Sequence, residues 1–307
     1  MFRKYMFLIT VVLVAACGQP TAATPPAAGA GDLTPLVIVS ELTVGANRMA
    51  LGIVQDGSPV NDPAAKIHLK FYDRADTSAA VKTEADAAYF GQGLPAAVYV
   101  AYPTFDRAGE WDVVVETQLS GAAKPVSKRL RIEVLETTTT PNIGQAAIAV
   151  KTPTIADTPV EQLSSGANPN PALYQISLDA AFESGKPTVA LFATPGYCRT
   201  AMCGPNVKVL GELQETFGQQ MNFIHVEIYK FPFDASFTAQ ADAYNAAVKD
   251  NRAMTEEEQA AGFSQGMRAW NLATEPWLFL IDKNGVIQER FEGGITIEEL
   301  TPKLAAL

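Results

Sequence analysis

The sequence predicts two folded domains of different class, an all-β sandwich followed by an α/β domain. The chain has 307 residues, of which 48% are hydrophobic, and this is enough apolar material for more than one core. Short alternating apolar segments recur through the first half of the chain, as they do in antiparallel sheets. Helical and strand patterns alternate through the second half, which is typical of an α/β domain.

The charge of the chain excludes one class of partner. The formal net charge at pH 7 is -10, whereas nucleic-acid binding depends on clustered Lys and Arg that neutralise phosphates. We therefore expect no nucleic-acid partner. The sequence contains neither a phosphate-binding glycine loop nor a spaced set of metal ligands, so no cofactor is expected.

The first residues have the layout of a secretory signal. Arg3 and Lys4 precede an apolar run at residues 6–16, which is too short to span a bilayer. The sequence Val-Ala-Ala-Cys at residues 14–17 resembles the bacterial lipobox. This resemblance implies removal of a signal peptide, residues 1–16, and attachment of lipid to Cys17. The expected location is the extracytoplasmic face of a cell membrane, although an ordinary signal peptide with an incidental cysteine is an alternative.

Composition divides the rest of the chain into four segments. Residues 17–35 are mostly small or polar and cannot bury enough apolar surface to order themselves, so we predict a flexible tether behind the lipidated cysteine. Residues 36–136 are predicted to form the β-sandwich, residues 137–170 a Pro-punctuated linker, and residues 171–307 the α/β domain. The predicted strands of the sandwich are residues 49–54, 66–73, 96–102, 111–119 and 126–135.

One short motif narrows the class of the sandwich. The segment from Phe105 to Trp111, followed by the alternating residues Val113 and Val115, resembles the corner and strand of immunoglobulin-like domains in bacterial envelope proteins. The resemblance implies an immunoglobulin-like fold for residues 36–136.

Local patterns in residues 171–307 predict an ordered series of elements. The run at residues 188–193 is apolar throughout, as expected for a buried parallel strand. Thr255 and Glu258 form a capping box that predicts the start of a helix. The other predicted helices are residues 177–184, 204–219, 238–250 and 296–306, and the other predicted strands are residues 222–229, 277–281 and 286–291.

Two cysteines remain once Cys17 is assigned to the lipid. They are Cys198 and Cys203, and pairing with each other is their simplest outcome in an exported protein, where disulfides persist. On one regular helix, side chains five positions apart would be rotated by roughly 140° from each other. A bond between the two cysteines therefore requires residues 199–202 to form a loop.

The order of elements in residues 171–307 resembles the thioredoxin superfamily. Cys198 directly follows the first apolar strand, Glu275-Pro276 stands where the family carries its cis-proline, and glycines follow the last strand. We find a more specific resemblance to thioredoxin-domain lipoproteins of the bacterial envelope that carry Cys-x4-Cys in place of Cys-x-x-Cys. It implies a thioredoxin-like fold and thiol–disulfide exchange with protein thiols or disulfides of the cell envelope.

The resemblance also implies roles for individual residues. Cys198 is the expected nucleophile, because a thiolate near a helix N-terminus is stabilised by the helix dipole, and Cys203 is the expected resolving thiol. The backbone beside the cis-proline receives the substrate in this family, so Glu275 and Pro276 are expected to border the docking groove. Thioredoxins usually bury an acid in the first strand, which is apolar here. Glu227 is the candidate proton relay in its place, and Glu275 is a second candidate.

Two alternatives belong to other functional classes. One is a non-catalytic binding module of the envelope, in which a disulfide between Cys198 and Cys203 only closes a surface loop. The other is copper binding or delivery, since copper-delivery relatives of the fold use two cysteines and a distant histidine. His225 would be the third ligand in that case, although a single strand histidine more often has a structural role.

Overall fold

A computed structural model describes residues 32–307 of the chain. The predicted signal peptide at residues 1–16, Cys17 and most of the predicted tether lie outside the described residues. Within residues 32–307, no helix is both long enough and apolar enough to span a bilayer.

The N-terminal region is all β. Its main sheet is antiparallel and follows one continuous path, and the segment after its first strand hydrogen-bonds at Leu135, just beyond its last strand, so that the sheet nearly closes on itself. The strands are β1 (Leu33–Val37), β2 (Gly45–Ala46), β3 (Met49–Gln55), β4 (Ser58–Pro59), β5 (Lys66–Asp73), β6 (Thr83–Phe90), β7 (Val98–Ala101), β8 (Thr104–Phe105), β9 (Gly109–Gln118) and β10 (Val126–Val134). The path is β1-β3-β7-β6-β5-β9-β10, with β4 beside β3, while β2 and β8 form a separate pair.

Alternating apolar side chains build the core of this region. Strand β9 buries every second residue from Trp111 to Thr117, and β5 does the same from Ile67 to Asp73. Phe105 packs edge-to-face on both Phe71 and Trp111, with ring centroids 5.3 and 5.1 Å apart. The all-β prediction is confirmed. Because the sheet is continuous rather than two separate sheets, the immunoglobulin-like identity stays a prediction.

Five strands of this region were not predicted: the two-residue strands β2, β4 and β8, and the longer strands β1 and β6. Strand β1 begins at Leu33, inside the segment assigned to the tether, because its buried leucine aligns with Gln55 of β3 and extends the sheet. Strand β6 carries only the small side chains of Ala85 and Ala87 toward the core for most of its length. Small residues give little apolar periodicity, so the strand leaves no clear pattern in the sequence.

The C-terminal domain contains a four-stranded mixed sheet with helices around it. Its central strand is buried along its whole length and runs parallel to one neighbour and antiparallel to the other, which confirms the predicted buried parallel strand. The elements are α1 (Leu178–Glu183), β11 (Thr188–Ala193), α2 (Cys203–Phe217), β12 (Asn222–Glu227), α3 (Phe233–Lys249), α4 (Glu256–Gly262), α5 (Gln265–Ala269), β13 (Trp277–Ile281), β14 (Ile287–Glu292) and α6 (Ile297–Leu304). The strand order is β12-β11-β13-β14, and 3-10 turns occupy Val160–Gln162 and Pro171–Tyr174.

Helix boundaries follow local capping chemistry. The Thr255 side chain accepts from the Glu258 amide while the Glu258 side chain accepts from the Thr255 amide, so the predicted capping box is confirmed. Helix α3 begins at Phe233 rather than at the predicted residue 238. It starts earlier because Pro232 takes an extended conformation at its N-cap and Phe233 is buried.

The predicted linker, residues 137–170, packs along the C-terminal domain, and we call it the strap. The Gly144 amide donates to the Ile287 carbonyl at 2.8 Å, and the Ile287 amide donates to the Gln145 carbonyl at 2.9 Å. The Trp270 indole donates to the Ile148 carbonyl at 3.0 Å. Backbone pairing and buried contacts thus make the strap part of the C-terminal domain.

A buried arginine joins the two domains. Arg48, in the turn before β3, donates to both carboxylate oxygens of Glu299 at 2.7 and 2.9 Å, and the two side chains are 4% and 1% exposed. The same guanidinium donates to the carbonyls of Glu292 and Gly294 at 2.9 Å each. Tyr102 adds a hydrogen bond to Glu299 at 2.9 Å. This contact fixes the N-terminal domain against the loop that follows β14.

Candidate functional site

The two cysteines lie on either side of the start of a helix. Strand β11 ends at Ala193, a loop carries Cys198, and Cys203 is the first residue of α2. Residues 199–202 are non-helical, with Ala201 at φ +59°, as the spacing of the cysteines requires. Both cysteines are free thiols in the structure, so it represents the reduced form of the pair.

The two thiols have opposite electrostatic environments. The Cys198 sulfur accepts the Cys203 backbone N–H at 3.2 Å and lies 3.4 Å from the Thr200 hydroxyl. A hydrogen bond from the Cys203 thiol, helped by Thr200 and these backbone donors, lowers the pKa of Cys198 to about 5, while burial opposes the shift. The same thiol–thiol bond together with burial raises the pKa of Cys203. At neutral pH the half-buried Cys198 is therefore a thiolate and the fully buried Cys203 a thiol.

Two carboxylates flank the end of β11 at the start of the cysteine loop. Glu227 is the last residue of β12 and lies in register with Ala193. Glu275 comes two residues before Trp277, which pairs with Phe192 on the other side of β11. The sheet therefore brings the two acids that the sequence nominated to the same end of the central strand.

Glu227 is held by the strap. One of its carboxylate oxygens accepts from the amide and the hydroxyl of Ser165, at 2.7 Å each, and the other accepts from the Ile228 amide at 2.9 Å. The residue is only 7% exposed, and burial raises the pKa of Glu227 despite these hydrogen bonds. The strap thus covers the acid and supplies two of its three nearest donors.

Replacing Ser165 with alanine is expected to lower the free energy of unfolding by about 1–3 kcal/mol, the usual cost of an unsatisfied buried acceptor. The variant removes the hydroxyl donor to Glu227 and the acceptor of the Gly196 amide, a bond of 2.9 Å. Urea unfolding at pH 7 measures the change. Ser127→Ala, at an exposed position in β10, is the control and should change stability by less than about 0.5 kcal/mol. Equal stability of both variants would show that the strap contributes nothing here.

Glu275 and Pro276 precede β13 near the cysteine loop, and their role in docking a partner stays a prediction. Their peptide bond is cis, and the Pro276 carbonyl accepts the Gly293 amide at 3.0 Å. Glu275 is partly exposed and lies near Cys198 and Arg199. Burial, followed by the negative charge of Cys198, raises the pKa of Glu275 to about 7.

The cysteine loop opens into a groove between the two domains, which we call the interdomain groove. Its volume is about 680 Å³, and one wall comes from residues 38–40 of the N-terminal domain. Helix α3 and Glu275 form much of the opposite side. Its remaining lining includes Arg199, Thr200, Met202, Tyr229, Met254 and Phe263. No pattern in the sequence predicts the contribution of residues 38–40, because they are distant from the cysteines along the chain.

His225 lies away from any metal-ligand arrangement. Its Nε2–H donates to the Ala193 carbonyl at 3.0 Å, and its Nδ1 accepts from the Tyr174 hydroxyl at 2.6 Å. Burial lowers the pKa of His225 to about 4, so the imidazole is neutral. Among residues 32–307 no group of three or more His, Cys, Asp or Glu side chains could hold a metal ion, so Cys198, Cys203 and His225 are not brought together as ligands.

Comparisons with known proteins support the fold of the C-terminal domain. Residues 174–307 match the family model described as a thioredoxin-like domain. The C-terminal domain is thioredoxin-like. No curated protein sequence matches the chain. Among solved structures, the chain is similar to a Chlorobium tepidum protein assigned as the thiol:disulfide interchange protein DsbE, with 15% identity, a TM-score of 0.34, and coverage of 54% of this chain and 98% of that one. The match is too distant to carry an argument about activity.

Proposed function

We propose that the protein is an extracytoplasmic, membrane-anchored thiol–disulfide oxidoreductase that uses Cys198 and Cys203. The observation that carries this proposal is the hydrogen bond of 3.2 Å from the Cys203 amide to the Cys198 sulfur at the start of α2. It places an accessible sulfur where helix amides stabilise a thiolate, next to a buried thiol that stays protonated.

The reaction proceeds through a mixed disulfide. The Cys198 thiolate attacks a partner disulfide, the partner bond breaks, and a bond forms between Cys198 and one partner sulfur. Cys203 then loses its proton and attacks Cys198, which releases the reduced partner and leaves a bond between the two cysteines. The half-buried position of Cys198 and the full burial of Cys203 support this order of attack.

Partners of the exchange are protein thiols or disulfides of the cell envelope. Glu275, which precedes the cis-proline Pro276, lines the interdomain groove, and we propose that an extended partner segment approaches Cys198 there. An immunoglobulin-like N-terminal domain would form the other wall of this groove. Glu227 and Glu275 are the two candidates for the proton relay, since both lie at the end of β11 from which the cysteine loop leaves.

The membrane anchor is proposed from the sequence at Cys17, which follows the signal-like residues 1–16. Lipid attached to its sulfur would hold both domains at the outer face of a membrane. Expression of the full chain and of Cys17→Ser, followed by fractionation of cells, tests the anchor. Retention of the wild type in membranes and release of the variant is the expected result. Equal distribution of the two proteins would remove the anchor from the proposal.

Insulin reduction by the purified protein in the presence of dithiothreitol tests the exchange reaction. The wild type is expected to accelerate precipitation of the insulin B chain, and Cys198→Ser is expected to lose all acceleration because the nucleophile is gone. No acceleration by the wild type, together with a bond between Cys198 and Cys203 that resists reductant, would instead support a binding module with a structural disulfide.

A further inference from the structure

The carboxylate of Glu275 differs from that of Glu227 in its contacts. Three donors hold Glu227 at 2.7 to 2.9 Å, and Glu227 does not line the interdomain groove. Glu275 takes no hydrogen bond from any group in residues 32–307, and its environment consists of burial and neighbouring charges. An acid without a fixed donor can exchange a proton without breaking a hydrogen bond inside the protein.

Glu275 lies close to the loop that carries Cys198. The residue lies two positions before the first residue of β13, beside the loop that follows β11. It lines the interdomain groove together with Arg199 and Thr200. Its charge acts on both Cys198 and Cys203. Because Arg199 directly follows Cys198, a partner disulfide in this part of the groove lies next to both Glu275 and the cysteine loop.

We propose that Glu275 is the catalytic acid and base of the exchange reaction and moves protons between the sulfurs at the mouth of the interdomain groove. This inference rests on the proposed function and deepens it, because it assigns the proton transfers to a groove residue rather than to Glu227. The pKa of about 7 for Glu275 supports the assignment, since an acid and base works best when its pKa lies near the working pH.

The first half of the reaction uses the acid form of Glu275. The Cys198 thiolate donates its electron pair to one partner sulfur, the partner S–S bond breaks, and the second partner sulfur leaves as a thiolate. Protonated Glu275 transfers its proton to this leaving thiolate. The products are a mixed disulfide on Cys198, a free partner thiol and an ionised Glu275.

The second half uses the base form. Ionised Glu275 takes the proton of the Cys203 thiol, and the resulting thiolate attacks Cys198. The mixed disulfide breaks, a bond forms between the two cysteines, and the released partner thiolate takes the same proton back from Glu275. The Cys198 thiolate and the Cys203 thiol have then been oxidised to a disulfide, and one partner disulfide has been reduced to two thiols. One of the two protons on these thiols comes from Cys203 and the other from Glu275, which ends ionised and takes a proton from solvent before the next cycle.

Several charged or titratable groups lie near Glu275 and influence the pH at which its carboxyl ionises. Cys198 and Glu227 raise its pKa, and Arg199 lowers it. The remaining groups around it are Cys203 at the start of α2, Tyr229 after β12 and Glu292 at the end of β14.

The test compares two disulfides whose leaving thiols differ in acidity. Glutathione disulfide releases an alkyl thiolate that needs a proton at neutral pH, whereas 5,5′-dithiobis(2-nitrobenzoic acid) releases an acidic aromatic thiolate that does not. Stopped-flow kinetics of the reduced full chain measure release of the first thiol. We expect Glu275→Gln to slow the reaction with glutathione disulfide by about 10²-fold, the lower end for a general acid, and to slow the aromatic disulfide far less.

The pH profile supplies a second readout. With glutathione disulfide the wild-type rate should rise through about pH 5, where Cys198 ionises, and fall through about pH 7, where Glu275 loses its proton. Glu275→Gln should lack the fall near pH 7. Glu275→Asp should keep it, with a smaller rate, and Glu227→Gln should also keep it.

Specific outcomes would overturn the assignment. If Glu275→Gln slowed both disulfides equally, its effect would be one of packing or charge and not of proton transfer. If Glu227→Gln removed the fall near pH 7, Glu227 would be the proton carrier. A wild-type protein that reacts with neither disulfide would instead overturn the proposed function itself, and a thermal melt of each variant separates all of these results from loss of folding.

Discussion

Replacing Arg48 with methionine is expected to lower the free energy of unfolding by about 3–5 kcal/mol, the cost of breaking a buried ion pair by removing one partner. The substitution leaves the Glu299 carboxylate buried with the Tyr102 hydroxyl as its hydrogen-bond donor. It also removes the donors to the carbonyls of Glu292 and Gly294. Methionine keeps much of the arginine stem, so the loss of charge and donors dominates. Urea unfolding followed by far-ultraviolet circular dichroism measures the change.

The control for Arg48 is an arginine whose ion pair is exposed. Arg131 lies 3.8 Å from Glu110, and both side chains are 59% exposed, so Arg131→Met should change stability by less than about 1 kcal/mol. Arg48→Met should also let the two domains unfold at different urea concentrations, because their main buried contact is gone. A single transition of unchanged midpoint would contradict the role assigned to this residue.

Replacing Cys203 with alanine is expected to reduce the reactivity of Cys198 sharply at mildly acidic pH. The bond from the Cys203 thiol is the main cause that lowers the pKa of Cys198 to about 5. Without it the midpoint of alkylation should move upward, toward the range of ordinary thiols, and at pH 6 the rate should fall about tenfold or more as the thiolate fraction drops. Iodoacetamide labelling at a series of pH values, read by mass spectrometry of the peptide that contains Cys198, measures both quantities.

A matched variant distinguishes loss of the hydrogen bond to Cys198 from loss of the Cys203 side chain itself. Cys203→Ser keeps a hydroxyl donor at the same position, so its alkylation midpoint should lie between those of the wild type and Cys203→Ala. Identical midpoints for all three proteins would mean that backbone donors alone stabilise the Cys198 thiolate, such as the Cys203 amide at 3.2 Å.

The sequence predicted those parts of the fold that local chemistry determines. The apolar run that forms β11 and the capping box at Thr255 both depend on neighbouring residues, and the structure confirms them. The same holds for the loop between Cys198 and Cys203, which followed from helix geometry alone. Local patterns are readable because the interacting residues are close along the chain.

The features that the sequence did not predict depend on contacts between distant residues. Ser165 and Glu227 are 62 positions apart, and Arg48 and Glu299 are 251 positions apart. A Pro-punctuated segment has no periodicity that would show it packing on a sheet. Glu275 was nominated as both a docking residue and a proton carrier, but the absence of any donor to its carboxylate becomes visible only when its surroundings are folded.

The path of the strap determines where the chain can be truncated without loss of contacts in the C-terminal domain. The family model begins at residue 174, and a fragment cut there would keep every helix and strand of the thioredoxin-like sheet. It would lose Ser165, and with it two donors of Glu227, as well as the backbone pairs that Gly144 and Gln145 make with β14. A C-terminal fragment that keeps these contacts must therefore begin before Gly144, and a truncation designed from the family segment alone would expose a core edge that the intact chain covers.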